Sequence, residues 1–307
     1  MGYTTWSSDA YNTLKTDYSF KSTDDIFISN RTKTIFPEMN PKGLGVRESR
    51  DSDEHPNSLA IMVFLDVTGS MKRIPEVIVR KKLNSLMETL ITHNVKDAAV
   101  MFSCIGDHLQ DKASLQVGQF ESGTQELNKW LISSYLEGGG GGQDRESYLL
   151  SWLVAGRHTS IDCFEKRGQK GFLFTIGDER SWSSLSHTHL EELMGYTQGE
   201  ELTDDQLLIE AQRMYNVFHI HIQEGSYRDD PQVINYWKDK LGQRLILLDD
   251  YNKISEVIAS TVAVSLGESL DTVVNSFDSS TALIVRKSIE NVVNVVNGKE
   301  GDKIINL

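Results

Sequence analysis

Cysteine is nearly missing from this sequence. The two present, Cys104 and Cys163, are too few for a disulfide framework and belong to no Cys-x-x-Cys or Cys/His pattern. That excludes a thiolate metal site and makes a reducing compartment the expectation. Cys104 stands in an apolar run, as a buried thiol does. Basic residues are also short: 31 Lys and Arg against 44 Asp and Glu leave a net charge of -13. A phosphate backbone is bound by a basic surface, so nucleic acid is excluded as the main partner. An acidic surface favours solubility and is compatible with cation binding. No apolar run approaches the ~20 residues that span a bilayer. Residues 1–9 lack the basic region and apolar stretch of a signal peptide. Gly2 does not make a myristoylation site, because Trp6 stands where Ser or Thr is required. The expectation is a cytoplasmic protein with no membrane partner.

What is present points to a globular chain: 39% hydrophobic and 24% charged residues, over a length of 307 that holds one large domain or two small ones. Its centre is the stretch from Leu59 to Met71. Leu59 to Leu65 is an almost unbroken apolar run, the pattern of a strand buried on both faces of a parallel sheet. It ends in Asp66-Val67-Thr68-Gly69-Ser70. Asp66, Thr68 and Ser70 put three hard oxygen side chains at alternate positions, with Gly69 to let the chain turn. Oxygen-only ligands suit Mg²⁺, Mn²⁺ or Ca²⁺. They stand where a strand yields to a helix, and open α/β sheets build sites at the carboxyl ends of their strands. A polar turn with a serine helix cap is the plainer reading of the same residues.

Asp-x-Thr-x-Ser after a hydrophobic strand resembles the metal-ion-dependent adhesion site of von Willebrand factor A (vWA) domains. The resemblance implies a doubly wound, mostly parallel α/β sheet flanked by helices, Rossmann-like, and two further ligand loops. The first falls at Glu137-Gly-Gly-Gly-Gly-Gly-Gln-Asp-Arg-Glu-Ser147. Its five glycines are not followed by the Lys-Ser/Thr of a phosphate loop; Gln143-Asp144 stands there instead. Arg145-Glu146-Ser147 looks like the Pro-Glu pair of one vWA class with Arg in place of Pro. Glu146 is the implied ligand, with Asp144 and Ser147 as alternatives and an ordinary first-turn acid as the competing reading. The second loop closes the apolar run Gly171-Phe-Leu-Phe-Thr-Ile-Gly-Asp-Glu179. There Asp178 matches the last metal carboxylate of the family, and Glu179 is its neighbour and rival. The implied cofactor is Mg²⁺, with Mn²⁺ or Ca²⁺ as substitutes. The implied partner is a protein offering an acidic residue to the metal, in bacterial relatives a MoxR-type AAA+ ATPase or its client. The chain is expected not to be an enzyme.

The remaining pattern alternates strands and helices, as a doubly wound fold requires. Helices are expected at 74–91, 124–136, 148–155, 204–214, 231–241 and 254–266; strands at 98–106, 115–120, 215–222 and 244–248. Thr203 with Gln206 reads as a capping box. Arg80, Lys81 and Lys82 read as an outward, solvated face. His219 and His221 share one face of their strand and read as packed core histidines. His187 and His189 lack the further ligands of a zinc site. The vWA-like domain is expected over 58–266. Residues 1–57 read as a polar, turn-rich extension, in which Arg47, Glu48 and Arg50 are either a solvated lead-in or fold back near the metal face. Residues 267–307 read as a helical extension with two apolar stripes that dock on the parent domain or on another chain. Two rivals stand against the adhesion reading. A phosphatase of the haloacid dehalogenase type would need a second Asp where Thr68 stands, and no Ser-His-Asp set is apparent. A structural component of a phage or bacterial assembly, its metal a mere staple, fits the composition as well.

Overall fold

The computed structural model describes residues 4–69, 71–139, 144–197 and 199–296. Six strands form the central sheet: β1 Leu59–Asp66, β2 Ala98–Ile105, β3 Leu115–Gln116, β4 Gly171–Gly177, β5 Tyr215–Ile222 and β6 Leu245–Leu248. Their order across the sheet is β6-β5-β4-β1-β2-β3. All neighbours run parallel except β2 and β3, which meet antiparallel at Cys104 and Ile105. Every residue of β1, β2 and β4 is buried, which is why these strands read as continuous apolar runs and not as alternations.

Eight helices are named here: α1 Ser8–Tyr18, α2 Leu83–Thr92, α3 Thr124–Ser133, α4 Leu149–Arg157, α5 Asp204–Met214, α6 Pro231–Leu241, α7 Ile254–Ser265 and α8 Ser279–Val296. On one face α7 packs between α2 and α8. On the other, α4 packs against α5, and Trp152 of α4 meets Trp237 of α6 edge to face, 6.1 Å between ring centres. The fold is a doubly wound α/β sheet of Rossmann type. Thr203 and Gln206 complete the expected capping box of α5, each side chain bonding the other residue's backbone N–H. The helix after the motif loop is interrupted: Arg73–Val77 and α2 are joined by a π turn at Ile78–Lys82.

The first fifty-odd residues are more helical than their sequence suggests. α1 buries only Tyr11 and Tyr18, too few to set a hydrophobic period, yet both lie in the main core with Ile26 and Phe27. Arg80 holds this segment down. It donates to the carbonyls of Tyr18 and Lys21 and pairs with Glu76 at 2.8 Å. Lys82 pairs at 2.7 Å with Glu256 of α7. These two cations are internal ties, not a solvated face. Arg47–Ser49 pairs in parallel with Thr159–Ile161, next to Ser58 at the start of β1. Arg50 pairs with Asp162 and Glu165, Glu48 pairs with Arg50, and Arg47 reaches the carbonyls of Glu38 and Val117, so none of the three joins the acids of the motif loop. The apolar stripes after residue 267 face the same core: Val273, Val274, Val285, Ile289 and Val292 are all buried in it.

Candidate metal centre

The chain leaves β1 for β2 on one side and later returns to β4 on the other. The reversal opens a crevice beyond the carboxyl ends of β1 and β4, the usual place for a ligand in such sheets. Asp66, the last residue of β1, is 1% exposed. Its Oδ1 accepts from the Thr68 backbone N–H at 2.8 Å and the Thr68 hydroxyl at 2.6 Å. Gly69 turns the loop with a positive φ of 42°, and its N–H reaches the carbonyl of Gly139. The glycine segment thus backs the motif loop. Ser70 and residues 140–143 lie outside the described residues.

Glu146 is brought in by a short parallel pairing, Arg145–Glu146 with Arg180–Ser181, which ties the glycine loop to the segment after β4. Glu146 is 2% exposed, and its Oε1 stands 3.1 Å from the Thr68 hydroxyl. That hydroxyl has one proton for two carboxylates. The alternatives to Glu146 are engaged elsewhere. Asp144 pairs with Arg180 at 2.7 Å, and the Ser147 hydroxyl accepts the His108 N–H at 2.8 Å.

At the end of β4 the two neighbouring acids part. Asp178 turns away: its Oδ2 accepts the Tyr227 N–H at 3.0 Å, and Gly225 lies so close that a Cβ there would fall 2.1 Å from that oxygen. Glu179 turns in. One carboxylate oxygen each from Asp66, Glu146 and Glu179 lies within 4.8 Å of the others. The structure therefore groups Asp66, Thr68, Glu146 and Glu179, and holds Asp178 beside them on a backbone donor. A residue the sequence did not single out completes the surroundings: Tyr148, whose hydroxyl donates to Asp66 Oδ2 at 3.2 Å. An aromatic hydroxyl two residues after the candidate acid was the available signal.

No Lys or Arg pairs with the three grouped carboxylates among the described residues. Glu146 Oε2 and Glu179 Oε2 are buried and reached by no donor. Burial, and then the mutual repulsion of the acids, pushes Asp66 up to about 7 and Glu179 to about 9, and raises Glu146 further still. Either protons or a cation must sit among them. The donors are all oxygen. In Mg²⁺ or Ca²⁺ complexes with bonds of about 2.0–2.6 Å, opposite ligands stand about 4–5 Å apart, which the cluster meets. The residues present fit a hard divalent cation.

Other candidates do not join the site. His219 is fully buried, bonded through Nδ1 to the Thr175 hydroxyl at 2.9 Å and stacked on Trp237 at 3.6 Å. His221 bonds the Arg228 carbonyl at 3.1 Å. Both are core histidines. His189 packs on His108, 4.7 Å between ring centres.

No family model and no curated protein matches the sequence. Among solved structures, the chain is similar to the pilus adhesin SpaC from Lactobacillus rhamnosus GG in its open conformation. The TM-score is 0.44 at 10% identity, covering 78% of this chain and 33% of that one. It is also similar to proximal thread matrix protein 1 from the mussel byssus, with TM-score 0.43, 10% identity, 68% of this chain and 48% of the other. A second form of the mussel protein, described with a zinc-occupied MIDAS motif, gives a TM-score of 0.38. The chain spans about a third of the adhesin and about half of the mussel protein. No helix among the described residues is long and apolar enough to cross a membrane.

Proposed function

We propose that this chain is a divalent-cation-dependent protein-binding module of vWA type. One observation carries the reading: two buried carboxylates and a part-buried third converge at the switch point of the sheet, with no cationic side chain among them in the described residues and two of their oxygens unpartnered. Asp66, Thr68, Glu146 and Glu179 would hold the cation, joined by Ser70 as the resemblance implies, with Asp178 fixing the loop. Mg²⁺, when bound, would supply an electrophilic position for a carboxylate on a partner protein. The chain's own part is to hold its acids at fixed spacing in a water-poor crevice, which makes docking depend on both cation and geometry. A MoxR-type ATPase or its client is the partner suggested by analogy alone. A cytoplasmic, non-catalytic role belongs to the same reading.

A second reading has its own support. Three carboxylates already exceed the charge of one dication, and Asp66 and Glu146 are 1% and 2% exposed. A cation so enclosed would serve as a structural staple within an assembly. Calorimetry with Mg²⁺, Mn²⁺, Ca²⁺ and Zn²⁺ on wild type and Asp66→Ala tests the metal site. Binding by wild type and its loss in a folded Asp66→Ala support it; no binding by a folded wild type refutes it. Partner capture abolished by chelator favours the adhesion reading, and capture unchanged by chelator favours the staple. Turnover of p-nitrophenyl phosphate would revive the phosphatase reading.

A further inference from the structure

Beneath the carboxylate cluster lies a set of buried rings whose arrangement goes beyond core packing. Tyr148 is fully buried at the start of α4. Its ring is held edge-on by His219, at 5.2 Å and 76°, and by Trp237, at 5.4 Å and 73°. His219 and Trp237 are stacked nearly parallel, 6° apart, and His219 is pinned by Thr175. Held so, the Tyr148 ring points its hydroxyl at Asp66 Oδ2. The other end of the set meets the other side of the cluster: Trp237 donates its ring N–H to the Glu179 carbonyl at 2.8 Å.

The slot for the hydroxyl is set by Gly177. A Cβ at that position would fall 1.8 Å from the Tyr148 oxygen and 3.0 Å from Asp66 Oδ2. A phenol is an O–H donor at neutral pH, and this one faces a carboxylate oxygen that can only accept from it. The hydroxyl is spent on the carboxylate that ends β1.

We propose that Tyr148 is a positioning residue for metal binding, and that Tyr148, His219 and Trp237 form one rigid support that fixes Asp66 through its side chain and Glu179 through its backbone. The proposal rests on the metal reading above. Metal ligands are oriented by outer hydrogen-bond partners, whose loss typically costs ~10–100-fold in affinity. Asp66 has one oxygen held by Thr68 and the other by Tyr148. Removing the phenol leaves Oδ2 without its donor while Thr68 still holds Oδ1, so the carboxylate is oriented from one side only, and a looser ligand binds more weakly.

The test uses Mn²⁺ as the probe, with affinity read by the electron-spin signal of free ion, and the fold read by circular dichroism and melting temperature without metal. Tyr148→Phe keeps the ring and its packing; Trp237→Phe removes the ring N–H that holds Glu179. Both are expected to weaken Mn²⁺ binding while keeping the wild-type spectrum, by ~10-fold or more for Tyr148→Phe. Added to Asp66→Asn, Tyr148→Phe should cost little more, because the oxygen it orients is already changed. A folded Tyr148→Phe that binds Mn²⁺ as tightly as wild type overturns the proposal, as does full additivity with Asp66→Asn. If Tyr148→Phe does not fold, wild-type Mn²⁺ affinity in Trp237→Phe overturns the common support. A folded wild type that binds no Mn²⁺ overturns the metal reading itself, a separate result.

Discussion

Acidic residues gather at both ends of the central sheet, under opposite conditions. At the amino end, Asp51 and Asp162 stand among cations. Asp162, 3% exposed in its side chain, pairs with Arg50 at 2.8 Å and Lys166 at 2.7 Å. Asp51 pairs with Arg167 at 2.8 Å. Burial alone would raise Asp51, but hydrogen bonds from Arg167, Ser58 and Lys166 outweigh it and bring the carboxyl down to about 2. At the carboxyl end, the buried Asp66 and Glu146 face the part-buried Glu179, and every shift runs upward. One cluster is closed by its own chain. The other has no cationic side chain paired with it among the described residues. A count of acids in the sequence cannot tell the two apart; the cations around them do.

The sharpest way to break the comparison is metal affinity. Glu146→Gln and Glu179→Gln should weaken Mn²⁺ binding by ~100-fold or more, as loss of a direct ligand exceeds the ~10–100-fold of an outer one. Asp178→Asn, whose oxygen accepts from Tyr227, should keep the affinity within that outer range, and Asp162→Asn should leave it unchanged. Calorimetric titration separates these. Equal losses for Asp178→Asn and Glu179→Gln would return Asp178 to the inner set.

Stability without metal should then move in opposite directions. Asp162→Asn strips carboxylate charge from Arg50 and Lys166, and should destabilise by about 1–3 kcal/mol, below the figure for a fully buried pair because Arg50 is a third exposed. Glu146→Gln removes one of three clustered acids and should raise the melting point. Urea unfolding in excess chelator measures both, and a loss on Glu146→Gln would show the cluster already neutralised.

The pH dependence follows from the same contrast. An acid whose folded value is raised holds more protons folded than unfolded, so its contribution is lost as pH climbs. For Asp66 that window runs from its ordinary value near 4 to about 7, and for Glu179 it extends to about 9. Asp51 does the reverse, losing its contribution as pH falls from near 4 to about 2. Metal-free protein should therefore melt at lower temperature as pH rises from 5 to 9, and saturating Mn²⁺ should flatten that slope. The smallest effect expected is at Arg157→Gln, which breaks a 2.7 Å surface pair with Glu210. It should cost about 1 kcal/mol or less and leave metal binding alone.

The strands of the sheet announced themselves because burial on both faces leaves only apolar residues, and the motif loop stood out because Asp66 and Thr68 follow such a run directly. Tyr215–Ile222 and Pro231–Leu241 have the bounds that alternation and a first-turn proline implied. What spacing could not decide was the choice between Asp178 and Glu179. They are adjacent, and which of them faces Asp66 and Glu146 is set by Gly225 and Tyr227, some fifty residues on, which close over Asp178. Helix α1 was hidden because two tyrosines do not make a period. Arg80 and Lys82 looked solvated because, Glu76 apart, their acceptors are backbone carbonyls and an acid far along the chain.

The two margins of the sheet are finished differently. β3 is two residues long and antiparallel, too short to template another chain. β6 is a full parallel strand, and α8 lies against it. An uncovered strand of Leu245-Ile246-Leu247-Leu248 would be an invitation to edge-to-edge aggregation. Helix α8 is in this sense a guard on solubility, and a chain cut before Ser279 should sediment as concentration-dependent oligomers while its acid cluster, at the central strands β1 and β4, stays intact.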